Sequence, residues 1–207
     1  SGTNDENSFQ LIIRKNAANI TSKKLVFCAH MDTAYNTPGA LDNASGLAVL
    51  LQIMEKLSDL ESSYNFEFLP FNGEDYCELS GQMAYLDKYP IKPDECRLVI
   101  NTDDAGHVDS LNAISTHNID AECELAIEKT LSAFERTARG PVWYESDHTM
   151  YAQQGVQCIV FAASNLLETT IKLTHTPEDT VDKVDFTLLE EISDFTVCLL
   201  KELNLVR

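Results

Sequence analysis

Positive charge is scarce in this sequence. Lys and Arg number 15 against 33 Asp and Glu, a formal net charge of −18 at pH 7, and so acidic a chain makes a poor partner for nucleic acid or an anionic membrane surface. Long apolar runs are also missing. No stretch approaches the roughly 20 residues of a membrane span, and the opening SGTNDENS has neither the basic head nor the apolar centre of a secretory leader. A protein that works without a membrane is expected. The six cysteines, Cys28, Cys77, Cys96, Cys123, Cys158 and Cys198, include no C-x-x-C pair. Cys28, Cys158 and Cys198 fall within apolar patterns and read as buried free thiols, which favours a reducing compartment, hence the cytoplasm, with secretion as the alternative. Internal repeats, low-complexity segments and linkers are absent.

What is present suffices for one core. Hydrophobic residues make up 44% of 207, enough for a single compact domain. Residues 3–207 read as that domain, the leading Ser1-Gly2 carrying no argument. Apolar runs at residues 9–14, 25–29, 65–71, 98–102, 113–116 and 156–162 have strand character, and residues 43–57, 81–88, 121–138, 148–154 and 186–203 have helical spacing. Phe66 and Phe68 share a strand face, and Leu47, Leu50, Leu51, Met54 and Leu57 share a helix face; Leu125, Ile127, Leu131 and Phe134 are available for burial in the longer helix. Such alternation predicts an α/β fold, three layers around a mixed, mostly parallel sheet. The first two strands, joined by a short turn, are expected to form an antiparallel edge.

The chemistry gathers after the strands. The run at 25–29 ends in His30 and Asp32, and the carboxyl ends of strands are where open α/β sheets bind ligands. A Pro38-Gly39 turn brings Asp42 and Asn43 to the head of the next helix. The strand at 65–71 runs into Glu74 and Asp75, the strand at 98–102 into Asp103 and Asp104, and a turn-rich THTPEDT carries His175. Singly, each has a plain explanation: a histidine after a strand is usually just hydrogen-bonded, and an aspartate before a helix is usually an N-cap. Together, two histidines and several carboxylates after successive strands suit Zn(II), which accepts imidazole and carboxylate without thiolate. An acid left unligated beside such a metal can act as general base toward water.

The segments AHMDT, GALDNASG, NGED, NTDDAG, YESDH and THTPEDT, in that order, resemble the family of co-catalytic dizinc aminopeptidases, metallopeptidases related to glutaminyl cyclases and glutamate carboxypeptidases. The resemblance runs from Leu25 to about Leu203. It implies two zinc ions: His30 and Asp103 on one, Asp75 and His175 on the other, and Asp42 bridging them. It implies Glu74 as general base and Asp32 as the residue orienting His30. Asp103 is preferred to Asp104 because the family's ligand stands two residues after the Asn. Asp147 and His148 match an element that lies near the family's site without ligating, and the Asp42–Asn43 peptide is implied to be cis. The commonest family form has Glu-Glu where this chain has Glu74-Asp75, so the shorter Asp must approach a metal more closely or bind it in one mode only. The family's usual N-terminal helical region has no counterpart here, so part of the substrate wall is expected from another segment or subunit.

The function thus implied is zinc-dependent removal of N-terminal residues from a peptide with a free amino terminus. Trp143, Tyr144 and Tyr151 are candidates for the substrate wall. The alternatives are a single-zinc glutaminyl cyclase using Asp42, Asp75 and His175 with Glu74, a carboxypeptidase or amidohydrolase of the same fold, and a noncatalytic binding module. Side-chain preference and oligomeric state are not legible in the sequence.

Overall fold

The computed structural model describes residues 9–75 and 81–207. Residues 76–80, Cys77 among them, fall outside these. Seven strands form one sheet: β1 (Ile13–Lys15), β2 (Lys24–His30), β3 (Asn65–Phe71), β4 (Cys96–Thr102), β5 (Asn112–His117), β6 (Thr137–Arg139) and β7 (Cys158–Ala163), in the order β1-β3-β2-β4-β7-β5-β6. The four central strands β3, β2, β4 and β7 run parallel, while β1 lies antiparallel to β3 and β5 antiparallel to β7. After its first residue β2 is buried throughout, as is β3. A strand covered on both faces needs consecutive apolar residues, and LVFCA and FLPF supply them.

Helices α1 (Gly46–Leu57), α3 (Ala121–Leu131) and α5 (Phe186–Glu202) pack on one face of the sheet, over Phe27, Phe66, Phe68, Ile100 and Phe161. Phe27 stacks on Phe68 with ring centroids 5.1 Å apart. On the other face, α2 (Gly81–Lys88) and α4 (Thr149–Gln153) bring Tyr85 and Tyr151 onto Val26, Cys28, Phe71 and Val99. The expected three-layer α/β architecture is therefore present.

Several details differ from the sequence reading. The first strand is shorter and pairs with β3, not β2, because β3 lies between them: Glu67 at its centre takes Arg14 Nε from β1 at 2.8 Å and Lys24 Nζ from β2 at 2.7 Å. The helix expected over 121–138 ends at Leu131, where the Ser132 hydroxyl donates to Lys129 O at 2.7 Å, and Thr137–Arg139 instead form edge strand β6 beside β5. Leu125 and Leu51 face solvent; Val49 and Ile53 occupy the buried stripe with Leu50 and Leu57. Cys198 is exposed, although Cys28, Cys96, Cys123 and Cys158 are buried, and all five are free.

What positions the site is the strand order. From β2 the chain crosses to β3 on one side, then returns to β4 on the other. That switch opens a crevice at the carboxyl ends of β2 and β4, the place where such sheets accept ligands.

Candidate metal centre

Three strand ends and two connecting segments converge on this crevice. His30 is the last residue of β2, Asp103 follows β4, and Glu74 and Asp75 lie just past β3. Asp42 comes from an elbow, Ala40–Ser45, wound in a wide π-type turn ahead of α1, and the Asp42–Asn43 peptide is cis, as the family resemblance implied. Two glycines make the elbow's close packing feasible. Gly39 has φ +70, and a Cβ on Gly46 would stand 2.2 Å from Asn43 Oδ1 and 2.3 Å from Thr102 O. Asn43 is not the simple helix start that the spacing predicts: its Nδ2 donates to Thr102 O at 3.0 Å and its Oδ1 accepts the Gly46 amide at 2.9 Å.

Asp42 stands between the two histidines. Its Oδ1 lies 3.0 Å from His30 Nε2 and its Oδ2 lies 2.8 Å from His175 Nε2. Asp103 Oδ1 is 3.1 Å from His30 Nε2, and Asp75 Oδ1 is 2.9 Å from His175 Nε2. Two groups result, His30–Asp42–Asp103 and Asp42–Asp75–His175, each with its potential ligand atoms within 4.8 Å of one another. All five residues expected to ligate are thus brought together, and Asp42 is common to both groups.

Asp32 is adjacent and meets His30 through its backbone, while its carboxylate is engaged elsewhere. The His30 Nδ1–H donates to the Asp32 backbone carbonyl at 3.1 Å, whereas the Asp32 carboxylate is 3.8 Å from that nitrogen. The carboxylate instead accepts the amides of Gly73, Glu74 and Asp75 at 2.8, 3.3 and 3.1 Å. It therefore fixes the turn that presents the acidic pair. His30, Asp32 and Asp75 also fall within 4.8 Å of one another, with the Asp32 carboxylate accepting these three amides at the same time.

The electrostatics favour cations. Burial pushes the Glu74 carboxyl up to about 7, with Asp103 the next cause, and burial followed by Asp42 pushes Asp75 up to about 6. Burial opposes charge on the His30 imidazole, yet Asp103 and Asp42 outweigh it and hold its pKa above the ordinary value. For Asp103 burial is likewise outweighed, by His30 and by the Ser146 hydroxyl, and its pKa is lowered. Carboxylates crowded together in a dry crevice resist losing all their protons unless positive charge joins them. A buried oxygen of Asp75, Oδ2, has no hydrogen-bond partner among the described residues. Imidazole and carboxylate donors without thiolate, in two groups sharing one carboxylate, fit borderline divalent ions of the zinc type.

Other sequence candidates fall nearby without joining the two groups. Asp104, at φ 52, is buried with Oδ1 unpartnered among the described residues, and burial and Asp103 raise its pKa well above the ordinary value. Asp147 is buried, with Oδ1 accepting from Gln82 Nε2 at 2.8 Å. His148 Nε2 lies 3.2 Å from His117 Nε2, and burial with His117 drives its pKa down to about 4. Tyr151 belongs to the core beside Tyr85, not to a substrate wall. Trp143 lines a cavity of about 130 Å³ with Ala113, Val142, Ala162 and Leu167, and Tyr144 lines a separate one beside His117 and His148. The sequence reading missed Asn43 and Asp179 as structural partners of Asp42; their only signal was membership of the GALDNASG and THTPEDT segments.

Comparison with known proteins agrees with this geometry. Aminopeptidase YwaD of Bacillus subtilis (strain 168) is 24% identical over 206 residues, covering 96% of this chain and 45% of that protein. The fold is similar to BSAP, a zinc aminopeptidase from Bacillus subtilis, with TM-score 0.75 and 23% identity over 92% of this chain and 48% of that one. It is also similar to Porphyromonas gingivalis glutaminyl cyclase, with TM-score 0.71 and 18% identity over 93% of this chain and 82% of that one. The chain spans about half the length of the curated relative it matches. The model of peptidase family M28 matches residues 11–199, which takes in every strand and every residue of both groups around Asp42, and so the chain belongs to peptidase family M28.

Proposed function

We propose that this chain is the catalytic unit of a zinc-dependent aminopeptidase that hydrolyses the first peptide bond of substrates with a free N-terminus. The observation that carries the reading is Asp42, whose two oxygens face two histidines 2.8 and 3.0 Å away. One carboxylate shared between two imidazole–carboxylate groups suits a dinuclear centre, in which bound ions lower the pKa of water and polarise the scissile carbonyl. His30, Asp42 and Asp103 would hold one ion, and Asp42, Asp75 and His175 the other. The Asp32 carbonyl holds the His30 ring so that Nε2 faces Asp42 and Asp103. Glu74, next to Asp75 and in neither group around Asp42, suits proton transfer in both directions: it would take a proton from the attacking water and return it to the leaving amine. The acid-rich crevice suits the ammonium of the substrate.

Zinc-reconstituted protein should cleave aminoacyl chromogenic substrates and spare their N-acetylated forms. Turnover of the acetylated forms, or none with either, would sink the reading. The group Asp42–Asp75–His175 with Glu74 beside it is complete without His30 and Asp103, which makes a single-zinc glutaminyl cyclase the second reading. Full activity at one zinc per chain, with ammonia released from peptides bearing N-terminal glutamine, would establish it. A noncatalytic binding module would show no turnover of any of these. The five free cysteines support a reducing, cytoplasmic setting.

A further inference from the structure

Asp42 is held from two sides, and the two holds belong to different halves of the centre. On one side the Asn43 carboxamide ties the elbow to Thr102 O at the end of β4, one residue before Asp103. On the other side stands Asp179, fully buried. Its Oδ1 accepts the Leu41 amide at 2.7 Å, its Oδ2 accepts the Asp42 amide at 3.2 Å, and its carbonyl oxygen accepts the Ala40 amide at 3.3 Å. Asp179 lies in the same THTPEDT segment as His175. That segment is otherwise braced internally, by Thr176 Oγ1 donating to Leu173 O and by the Asp179 amide donating to Thr176 O. The His175 side chain is 60% exposed, against 1% for His30. Packing thus holds His30, and it does not hold His175.

We propose that Asp179 is a positioning residue for the half of the centre formed by Asp42, Asp75 and His175. It sets the separation between the His175 loop and the elbow, and thereby the cation affinity of that half, while Asn43, tied to Thr102 O, keeps Asp42 in place for the half formed by His30, Asp42 and Asp103. A carboxylate suits the task because its two oxygens accept two consecutive amides. An asparagine accepts one and turns an N–H toward the other, so the loop and the elbow part. Partners that fix the ligands of a metal commonly contribute about 10–100-fold in affinity. The inference rests on the two-cation reading of the site.

The experiment is zinc titration of the metal-stripped whole protein by calorimetry, with bound metal counted by mass spectrometry, for wild type and Asp179→Asn. The expected result is two equivalents for wild type. For the variant, the first equivalent keeps its affinity and the second weakens about 10–100-fold. A general loss of structure would weaken both, so equal weakening of both equivalents, or of neither, overturns the inference. Wild type binding a single equivalent overturns the two-cation reading itself, a different and distinguishable failure. If the variant does not fold, amide hydrogen exchange of wild type decides. Protection of Leu41 and Asp42 should rise on binding the second equivalent; a rise complete with the first equivalent overturns the proposal.

Discussion

At the scale of single residues, the acidic pair after β3 separates two roles. Asp75 lies 2.9 Å from His175 Nε2, while Glu74 belongs to neither group around Asp42. Glu74→Gln should therefore keep its zinc and lose about 10²–10⁴-fold in kcat, whereas Asp75→Asn should lose zinc first. Metal analysis beside steady-state kinetics checks both, and the reverse pattern would mean that the roles are exchanged. Gly46 supports a second prediction. A methyl group there meets Asn43 Oδ1 and Thr102 O at 2.2 and 2.3 Å, so Gly46→Ala should cost about 1–3 kcal/mol by overpacking, read from urea unfolding, and should impair zinc binding because the elbow carries Asp42. The five residues that meet in the crevice were legible as a group because each follows an apolar strand or sits in a distinctive turn. The role of Asp32 was only half legible: a carboxylate that gathers three amides from a distant turn leaves no trace in local spacing.

At the scale of elements, legibility follows how far each one is settled by its own residues. The strand at 65–71 and the helix at 81–88 match their expected bounds, since apolar runs and helical spacing are local signals. Strand β1 and edge strand β6 were misjudged because pairing partners decide them. Three residues at the sheet's margin become a strand only where a neighbour offers free backbone groups, as β3 does for Ile13–Lys15 and β5 for Thr137–Arg139. The cross-strand junction at Glu67 makes a prediction at this scale. Burial alone would raise its carboxyl pKa, but Lys24, Tyr85 and Arg14 outweigh burial and lower it. A carboxyl lowered in the folded state stabilises fully above its unfolded pKa of about 4.3. That contribution is lost as pH falls through the lower folded value. Glu67→Gln should cost about 1.5–3 kcal/mol near neutral pH, the range for hydrogen bonds to charged groups, and the gap to wild type should narrow below about pH 4. Urea unfolding across pH measures this, and a gap that does not change with pH would refute it.

At the scale of the whole molecule, 33 acidic residues against 15 basic ones look at first like a matter of solubility, yet part of that excess is gathered at one end of the sheet. Metal removal should therefore abolish turnover and lower the Tm, because cations that bind only the folded crevice stabilise it by mass action. Differential scanning calorimetry with and without chelator tests this, and an unchanged Tm would show that the crevice folds indifferent to its ions. The exposure of the two histidines gives the centre a direction in time. His30 is walled in at the end of β2, whereas His175 stands open to solvent. An ion beside His175 would stand nearer to solvent than an ion beside His30. Mixed with excess chelator, the loaded protein should release its metal in two kinetic phases, a fast one from beside His175 and a slow one from beside His30. In a cell short of zinc, such a centre would empty from the outside inward and stay half-loaded, ready to be completed by a single ion.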